Sequence, residues 1–561
     1  PLTVEGAVQA RLDRLPAPEK DLLKRAAVLG RRFWAEALAA LGAPEAPLLL
    51  ASLRRRDLVV PRPDARLAGC AEWWFRHAVV HEVAGGLLTG RQRRTLHGAA
   101  GRWLAARPDA PPEDVADQLR QAAEPAAARP FWLRAARDAD ARGDSLRVLT
   151  FSDHALGPVE GTPAWDATTE HALRLCRADA LLWLGRTEAL DAELGALDGL
   201  EAGAGDAIGA AARAAAALRR ARFLVQAGPR AAAAGEALAL AEGAGDPSVA
   251  ARAHAMRAQM LARSGRPAEA EVEAAAAAAR ADASGDPRAV SYATQARAYV
   301  AGVGGDPAAA LDGYAAARAQ WTAAGDVREA TQAAMNAGAV LQLLGDHAAA
   351  RAALEEALAA ARALGLRRNE GYALLNLGLV LGRSGDPGAG RAALDAVRAL
   401  AGEIRDVRLG ALSLAYRAVV GREAGDCAVA LADADAALAA APAGDATVGL
   451  VALATRAAAL ADLGRAAPAL EACDRAAALR DAQGGMAELE VGLLLARRDA
   501  LAALGRDAEA SAALDAACAA FDAQLARITV AHLRRAFSEN LPAHARLAKL
   551  LAARPAGDAS A

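Results

Sequence analysis

The sequence predicts an all-α protein: an α-solenoid of about ten helical hairpins with a period near 40 residues, preceded by a small separate domain. Three observations carry this. Hydrophobic residues make up 54% of 561 positions, yet aromatics only 4%. The apolar content is therefore mostly Ala and Leu, which favour helix, while the β-branched and aromatic residues that fill large sheets are scarce. Glycine turns then recur on a lattice, from Gly143, Gly185 and Gly228 through Gly265, Gly305, Gly345, Gly385 and Gly425 to Gly464 and Gly505. A second lattice lies between, at Gly245, Gly285, Gly325, Gly365, Gly444 and Gly484-Gly485. Each unit is thus two helices and two turns, glycine ending one helix and Asp or Asp-Pro opening the next. Finally, a small residue stands seven positions before the first-lattice turn in Ala136, Ala178, Ala221, Ala258, Ala298, Gly338, Gly378, Ala418 and Ala457, with only Arg498 breaking the series. Small residues there let the two helices of a hairpin approach closely.

The first 108 residues follow another plan. Helical patterns run over Val4 to Leu15, Pro18 to Leu29, Phe33 to Leu41 and Ala46 to Arg56. Two short extended stretches follow, Asp57 to Pro61 and Glu72 to Phe75, and then helices at Ala78 to Leu88 and Arg91 to Ala106. Helices followed by a β-hairpin give the layout of a winged helix. The expected domains are therefore 1–108 winged-helix-like, 109–540 the superhelix and 541–561 a C-terminal tail. Charge separates them too. Residues 1–110 hold 18 basic against 11 acidic residues, the rest 47 against 56, although the whole chain carries a formal charge of only −2. That balance excludes a globally basic nucleic-acid binder.

The strings Asn336-Ala337-Gly338, Gly345-Asp346 and Ala350, and Asn376-Leu377-Gly378, Gly385-Asp386 and Gly390, resemble the tetratricopeptide repeat (TPR). The period is longer than that family's 34 residues and bulky aromatics are few. Further strings lie in the N-terminal region: Arg11-Leu12-Asp13-Arg14-Leu15, Ala26-Ala27-Val28-Leu29-Gly30-Arg31-Arg32-Phe33-Trp34, Arg56-Asp57-Leu58-Val59 and Trp74-Phe75-Arg76-His77-Ala78-Val79-Val80-His81-Glu82. They resemble the segment that follows the ATPase module in bacterial signal-transduction ATPases of the STAND class. Leu533-Arg534-Arg535-Ala536-Phe537 and Asn540-Leu541-Pro542 resemble the close of such arrays. The resemblance implies a longer cytoplasmic parent protein with an upstream ATPase, which would supply the ATP and Mg chemistry, and an effector. Among effectors it is most like the serine/threonine protein kinases, with class III adenylate cyclases as the other kind.

Catalytic signatures are missing from the chain itself. A phosphate-binding GxxxxGK[ST] loop needs glycine amides and a lysine on the phosphates. The three lysines, Lys20, Lys24 and Lys549, follow Glu19, Leu23 and Ala548, never glycine. Neither a DFG nor an HRD string occurs, so no protein-kinase module is expected here. No cofactor or metal site is expected either. His77 and His81 share a helix face with Glu82 beside them, but no third ligand is evident. Five cysteines without a CxxC pair read as reduced thiols.

Function is therefore expected in binding. Stacked hairpins form a superhelix in which one helix of each pair lines the concave face. Nine residues before the turn glycine stand Met256, Ala296, Asn336, Asn376, Tyr416 and Thr455. The TPR resemblance implies that Asn336 and Asn376 clamp a peptide backbone, since an amide offers donors and an acceptor together. Gln332, Tyr372, Tyr416, Arg297 and Arg417 complete the candidate groove. Arg76, His77, His81 and Glu82 form a candidate relay toward the upstream domains. The leading expectation is a non-catalytic sensor or scaffold region with a protein or peptide in the groove. The alternatives are a DNA-binding regulator, with phosphate contacts from Arg54, Arg55, Arg56, Arg62, Arg66, Arg91, Arg93 and Arg94, and a free-standing adaptor.

Overall fold

A computed structural model describes residues 3–223, 227–263, 266–442, 445–483 and 487–553. Chain contacts divide it into two units. One is Pro1–Ala139 with Arg147–Asp166, the other Asp140–Leu146 with Ala167–Ala561.

The first unit opens with α1 (Val4–Asp13), α2 (Ala17–Leu29), β1 (Arg32–Trp34), α3 (Ala35–Ala40), α4 (Ala46–Arg55), β2 (Val59–Pro61) and β3 (Glu72–Phe75). The strands form an antiparallel sheet in the order β1-β3-β2, with Phe33 opposite Trp73 and Val60 opposite Trp74. Its inner face packs on the helices through Leu12, Leu22, Leu38, Leu50, Leu53 and Phe75, with the rings of Phe33 and Phe75 edge-to-face at 5.2 Å. The helix expected over Phe33 to Leu41 thus begins only at Ala35. The two aromatics before it belong to a strand too short for alternation to show in the sequence.

The unit also runs past residue 108. It continues through α5 (Ala78–Gly86), α6 (Gly90–Ala105), α7 (Pro112–Gln121), most of α8 (Pro125–Ala141) and α9 (Ser145–Leu156). Gln118 on α7 explains much of this. Its Oε1 accepts from His97 Nδ1 at 2.8 Å and its Nε2 donates to the Val28 carbonyl at 2.9 Å, fastening α7 to α6 and α2.

The second unit is the array. Its hairpins are α10 (Ala167–Trp183) with α11 (Thr187–Ala204), α12 (Ala210–Phe223) with α13 (Ala227–Ala244), α14 (Pro247–Arg263) with α15 (Pro267–Ser284), and α16 (Pro287–Val303) with α17 (Pro307–Ala323). They continue as α18 (Val327–Leu343) with α19 (His347–Ala363), α20 (Arg367–Arg383) with α21 (Pro387–Glu403), and α22 (Val407–Glu423) with α23 (Cys427–Ala440). The last are α24 (Ala446–Asp462) with α25 (Ala466–Gln483), α26 (Ala487–Ala503) with α27 (Asp507–Arg527), and the short pair α28 (Ala531–Glu539) and α29 (Pro542–Ala552). The chain is an α-solenoid of consecutive helical hairpins. The stretch expected as a tail from 541 carries α29, a helix with its own buried face at His544 and Leu547.

The Gly-Asp turns explain the period. At the end of α18, Gly345 adopts φ +75°. Its N–H bonds to the Gln342 carbonyl, and that of Asp346 to the Leu341 carbonyl. This paired closure satisfies carbonyls the helix leaves open. The Asp346 carboxylate then accepts from the Ala349 N–H at 3.1 Å and caps α19, a contribution of about 1 kcal/mol. Asp306 and Asp386 cap α17 and α21 in the same way.

Two lattice positions depart from expectation. Gly228 lies inside α13 rather than in a turn, while Arg405, with φ +53°, takes a place where the lattice calls for glycine. Gly265, Gly444, Gly484 and Gly485 lie outside the described residues.

The small residues meet the close approach expected of them. A Cβ on Gly338 would come within 2.8 Å of Leu354, one on Gly378 within 2.8 Å of Leu394, and one on Gly390 within 2.6 Å of the Gly378 carbonyl.

The solenoid closes on itself after five hairpins. Trp183 at the end of α10 packs with Ala361 and Leu366. Thr187 Oγ1 donates to the Ile404 carbonyl at 3.1 Å, and Glu188 pairs with Arg405 at 2.6 Å. The pattern recurs one turn later. Arg527 donates to the Gly304 carbonyl, Asn540 Nδ2 to that of Gly345 at 2.9 Å, and Ile528, Leu533, Phe537 and Leu541 pack with Ala298, Tyr314, Val340 and Leu344.

Candidate functional site

Because side chains three or four apart share a helix face, the first helix of each hairpin presents one stripe to the inside of the coil. Seven such helices, α10, α12, α14, α16, α18, α20 and α22, contribute to a single cavity of about 340 Å³. Its wall mixes aromatics (Trp183, Tyr292, Tyr299, Tyr372), amides (Gln259, Gln295, Gln332, Asn336, Asn369) and five arginines, Arg222, Arg252, Arg263, Arg368 and Arg408. One carboxylate, Glu329, lines it.

The wall is held by polar bonds between neighbouring hairpins and by one across the coil. Tyr292 Oη donates to Glu329 of the next hairpin at 2.7 Å, and Arg222, three hairpins before Glu329, lies 3.6 Å from the same carboxylate. Burial beside Glu329 pushes the Tyr292 phenol up to about 12, so it stays a donor. Arg408 bonds Asp445 at 2.6 Å and Tyr372 Oη at 3.0 Å, and Arg368 pairs with Asp406 at 3.1 Å. An amide relay crosses two repeats: Asn369 Nδ2 donates to Gln332 Oε1 at 3.1 Å, and Gln332 Nε2 donates to Asn336 Oδ1 at 3.0 Å. Trp321 stands behind this wall, fully buried, edge-to-face with Tyr292 at 4.9 Å and donating to Gln295.

Of the groove residues expected from sequence, Asn336, Gln332 and Tyr372 meet in this cavity. Four do not. Asn376 donates to the Tyr372 carbonyl of its own helix at 3.0 Å and is absent from the wall. Arg297 is exposed away from it. Arg417 bonds Asp433 and, at 2.7 Å, Asp395, so it ties α22 to α21 and α23. The same service is given by Arg257 to Glu273 and Arg456 to Asp435. These arginines bind the outer helices, where the sequence suggested a groove function for one of them, Arg417.

Tyr416 lies in a second cavity of about 350 Å³, with Leu343, Leu379, Val419, Val451 and Leu489. Leu541, Pro542, Ala543 and His544, at the start of α29, form its far side.

Sequence reasoning missed Arg252, Arg263 and Arg408. Their signal was present in part. Arg252 takes the place in its helix that Tyr292 and Tyr372 take in theirs, whereas Arg408 stands one turn earlier, level with Arg368.

In the first unit, the relay residues are dispersed. Arg76 pairs with Asp57 at 3.4 Å, and His77 and Glu82 are exposed. Only His81 faces inward, its Nε2 against the Ala27 carbonyl at 3.1 Å and its ring against Phe75. It lines a cavity of about 630 Å³ with Trp34, Trp74, His97 and Asp114.

Comparison with known proteins returns no matching family and no matching curated protein. Solved structures do match. One is a signal-transduction ATPase with numerous domains (STAND) protein with a tetratricopeptide repeat sensor from Pyrococcus horikoshii. It is 13% identical with a TM-score of 0.37, over 86% of this chain and 67% of that one. Another is a Rap protein complexed with competence and sporulation factor, 12% identical with a TM-score of 0.41, over 69% and 99%. A third is the Cut9-Hcn1 hetero-tetramer of APC/C, 12% identical with a TM-score of 0.37, over 81% and 93%. At these TM-scores none of the likenesses carries the reading of the groove. No helix among the described residues is long and apolar enough to cross a membrane.

Proposed function

We propose that the chain is the non-catalytic sensor region of a cytoplasmic bacterial signal-transduction protein, with a protein or peptide held in the lumen of its first superhelical turn. The observation that carries this is the convergence of seven consecutive inner helices on one polar and aromatic cavity. Pockets that bind ligands combine such apolar walls with a few placed donors and acceptors. A ligand spanning several hairpins biases the coil toward the arrangement it binds more tightly.

The first unit then acts as a winged helix that passes the change to an upstream ATPase and a serine/threonine protein kinase. The order helix–strand–helix–helix–strand–strand supports the winged helix, as does the pairing of β1 with β3. The kinase rests on the resemblance of the N-terminal strings alone.

The test is a peptide-array screen on the whole chain, followed by titration of hits against two variants. Asn336→Ala is expected to weaken them at least several-fold and Asn376→Ala to leave them unchanged. Hits insensitive to Asn336→Ala would place binding elsewhere and sink this reading. A second reading, duplex DNA binding, is favoured by Arg54 and Arg55, which stand exposed at the end of α4. Salt-dependent duplex binding by the whole chain, lost in Arg54→Gln/Arg55→Gln, would put it ahead.

A further inference from the structure

The charges on the lumen wall do not balance, and the imbalance has a location. Three of the five arginines are answered by carboxylates within the fold: Arg222 by Glu329, Arg368 by Asp406 and Arg408 by Asp445. The other two stand on one face of α14, about three turns apart. Arg252 lies 5.0 Å over the Tyr292 ring, and Arg263 is exposed at the helix end; neither has an ion pair among the described residues. The carboxylate that reaches toward Arg252, Asp179, is already bonded to Arg219 at 2.6 Å.

Asn336 leans the same way. It spends its carbonyl oxygen on Gln332, which leaves its own N–H groups as donors at the wall. Tyr292 and Tyr372 have their hydroxyls committed within the fold. The free polar capacity of the lumen is therefore donor-rich and cationic. A guanidinium offers a fixed fork of N–H groups that matches an oxyanion. A cation placed over an aromatic face needs only one side supplied by a ligand.

We propose that the lumen takes an anionic extended peptide segment, whose negative side chains are held by Arg252 and Arg263 while its backbone meets Asn336. This rests on the peptide-binding reading above and adds the charge of the ligand to it. Carboxylates and phosphoserines both supply the oxyanion, and the probes below separate them.

The experiment is fluorescence polarisation on the full chain with four labelled decapeptides, alternating Ser with Glu, phosphoserine, Gln or Lys. The Glu or the phosphoserine probe is expected to bind at least tenfold more tightly than the Gln and Lys probes, and to weaken with added salt. Whichever binds more tightly identifies the source of the charge. Arg252→Gln/Arg263→Gln is expected to abolish that preference, and Arg297→Gln, outside the lumen, to preserve it. Arg263→Gln alone, at an exposed position, is expected to lose several-fold of it and guards against a folding defect in the double variant. Equal or tighter binding of the Gln or Lys probe, sensitive to Asn336→Ala, would overturn the charge inference and keep the lumen as a peptide site. Anionic binding untouched by the double variant would overturn it as well. Binding of none of the four would overturn this inference, while the peptide reading stands or falls by the array screen.

Discussion

The inner surface of the array holds two cavities of nearly equal size and different lining. The first, inside α10 to α22, is walled by arginines, tyrosines and amides, and ion pairs keep it in shape, one across the coil from Arg222 to Glu329 and one between neighbouring hairpins from Arg408 to Asp445. The second, farther along, is walled mainly by Leu343, Leu379, Val419, Val451 and Leu489, with Arg383, Arg422, Glu423 and Arg546 among them, and is closed by the chain's own α29. The helices are alike in length and turn chemistry. What differs is the residue presented inward, and with it whether the surface calls for an outside partner or is covered from within. Small residues at the hairpin seam are common to both regions, so the scaffold is constant while its lining varies.

The largest expected effect tests how the first cavity is built. Arg408→Met leaves the largely buried Asp445 and the Tyr372 hydroxyl without their partner. Removing one member of a buried pair costs about 3–5 kcal/mol. Urea unfolding is expected to show that loss, with much of it recovered in Arg408→Met/Asp445→Asn. An undiminished loss in the double variant would mean that packing, not charge, is at stake there.

The next test falls on the C-terminal helix pair, of which α29 closes the second cavity. Leu533→Ala deletes a side chain buried among Tyr314, Val340 and Phe537, for which about 2–5 kcal/mol is usual. Here the loss is expected to be local: hydrogen exchange should accelerate in α28, α29 and the facing turn at Gly345, while the lumen of the first turn keeps its protection. Uniform acceleration along the array would erase the distinction between the two regions.

Acid should separate the regions as well. Burial in α29 holds the His544 imidazole below its ordinary value of 6.5, against the opposing hydrogen bond to the Phe537 carbonyl, with the Arg383 guanidinium adding to the depression. Burial likewise depresses His347, which faces Asn540. The unfolded chain then takes up protons at a pH where the folded one does not. The stabilisation is complete above about pH 6.5 and declines as pH falls toward the depressed folded values. Exchange protection of α28 and α29 is expected to fall over that window before that of α16 to α18, with His544→Gln reducing the acid sensitivity. The smallest effect is that of Asn540→Ala, about 1 kcal/mol for the bond to the Gly345 carbonyl, read as a modest rise in exchange at that turn alone.

Much of this fold was legible in the sequence because helix endings are a local matter. Gly345-Asp346 and its equivalents specify a left-handed residue and a cap without reference to anything distant. The candidate site was legible only in part, for the converse reason. Asn336 and Asn376 occupy the same place in their repeats, yet Gln332 stands four residues before Asn336 while Tyr372 stands before Asn376. The first amide joins a relay across repeats, and the second bonds its own helix. Arg417 misled because a groove arginine and a seam arginine look alike until Asp433 and Asp395 are placed beside it. Closure of the coil had no local signature at all. Trp183 meets Leu366 across more than four repeats of chain.

That closure has a consequence for how the protein comes into being. An open array, whose repeats touch only their neighbours, folds and frays piecemeal. In this coil, Thr187 waits for Ile404, 217 residues on, and Gly345 waits for Asn540, 195 residues on. Contacts so far apart slow folding, and during synthesis the N-terminal elements form first. The Gly345 turn and the apolar surface around Val340 and Leu344 therefore stand uncovered on the ribosome until α28 has emerged. At some five to twenty residues per second, that interval lasts for about ten seconds or more, and through it the growing chain presents the surface that its own last helices later seal.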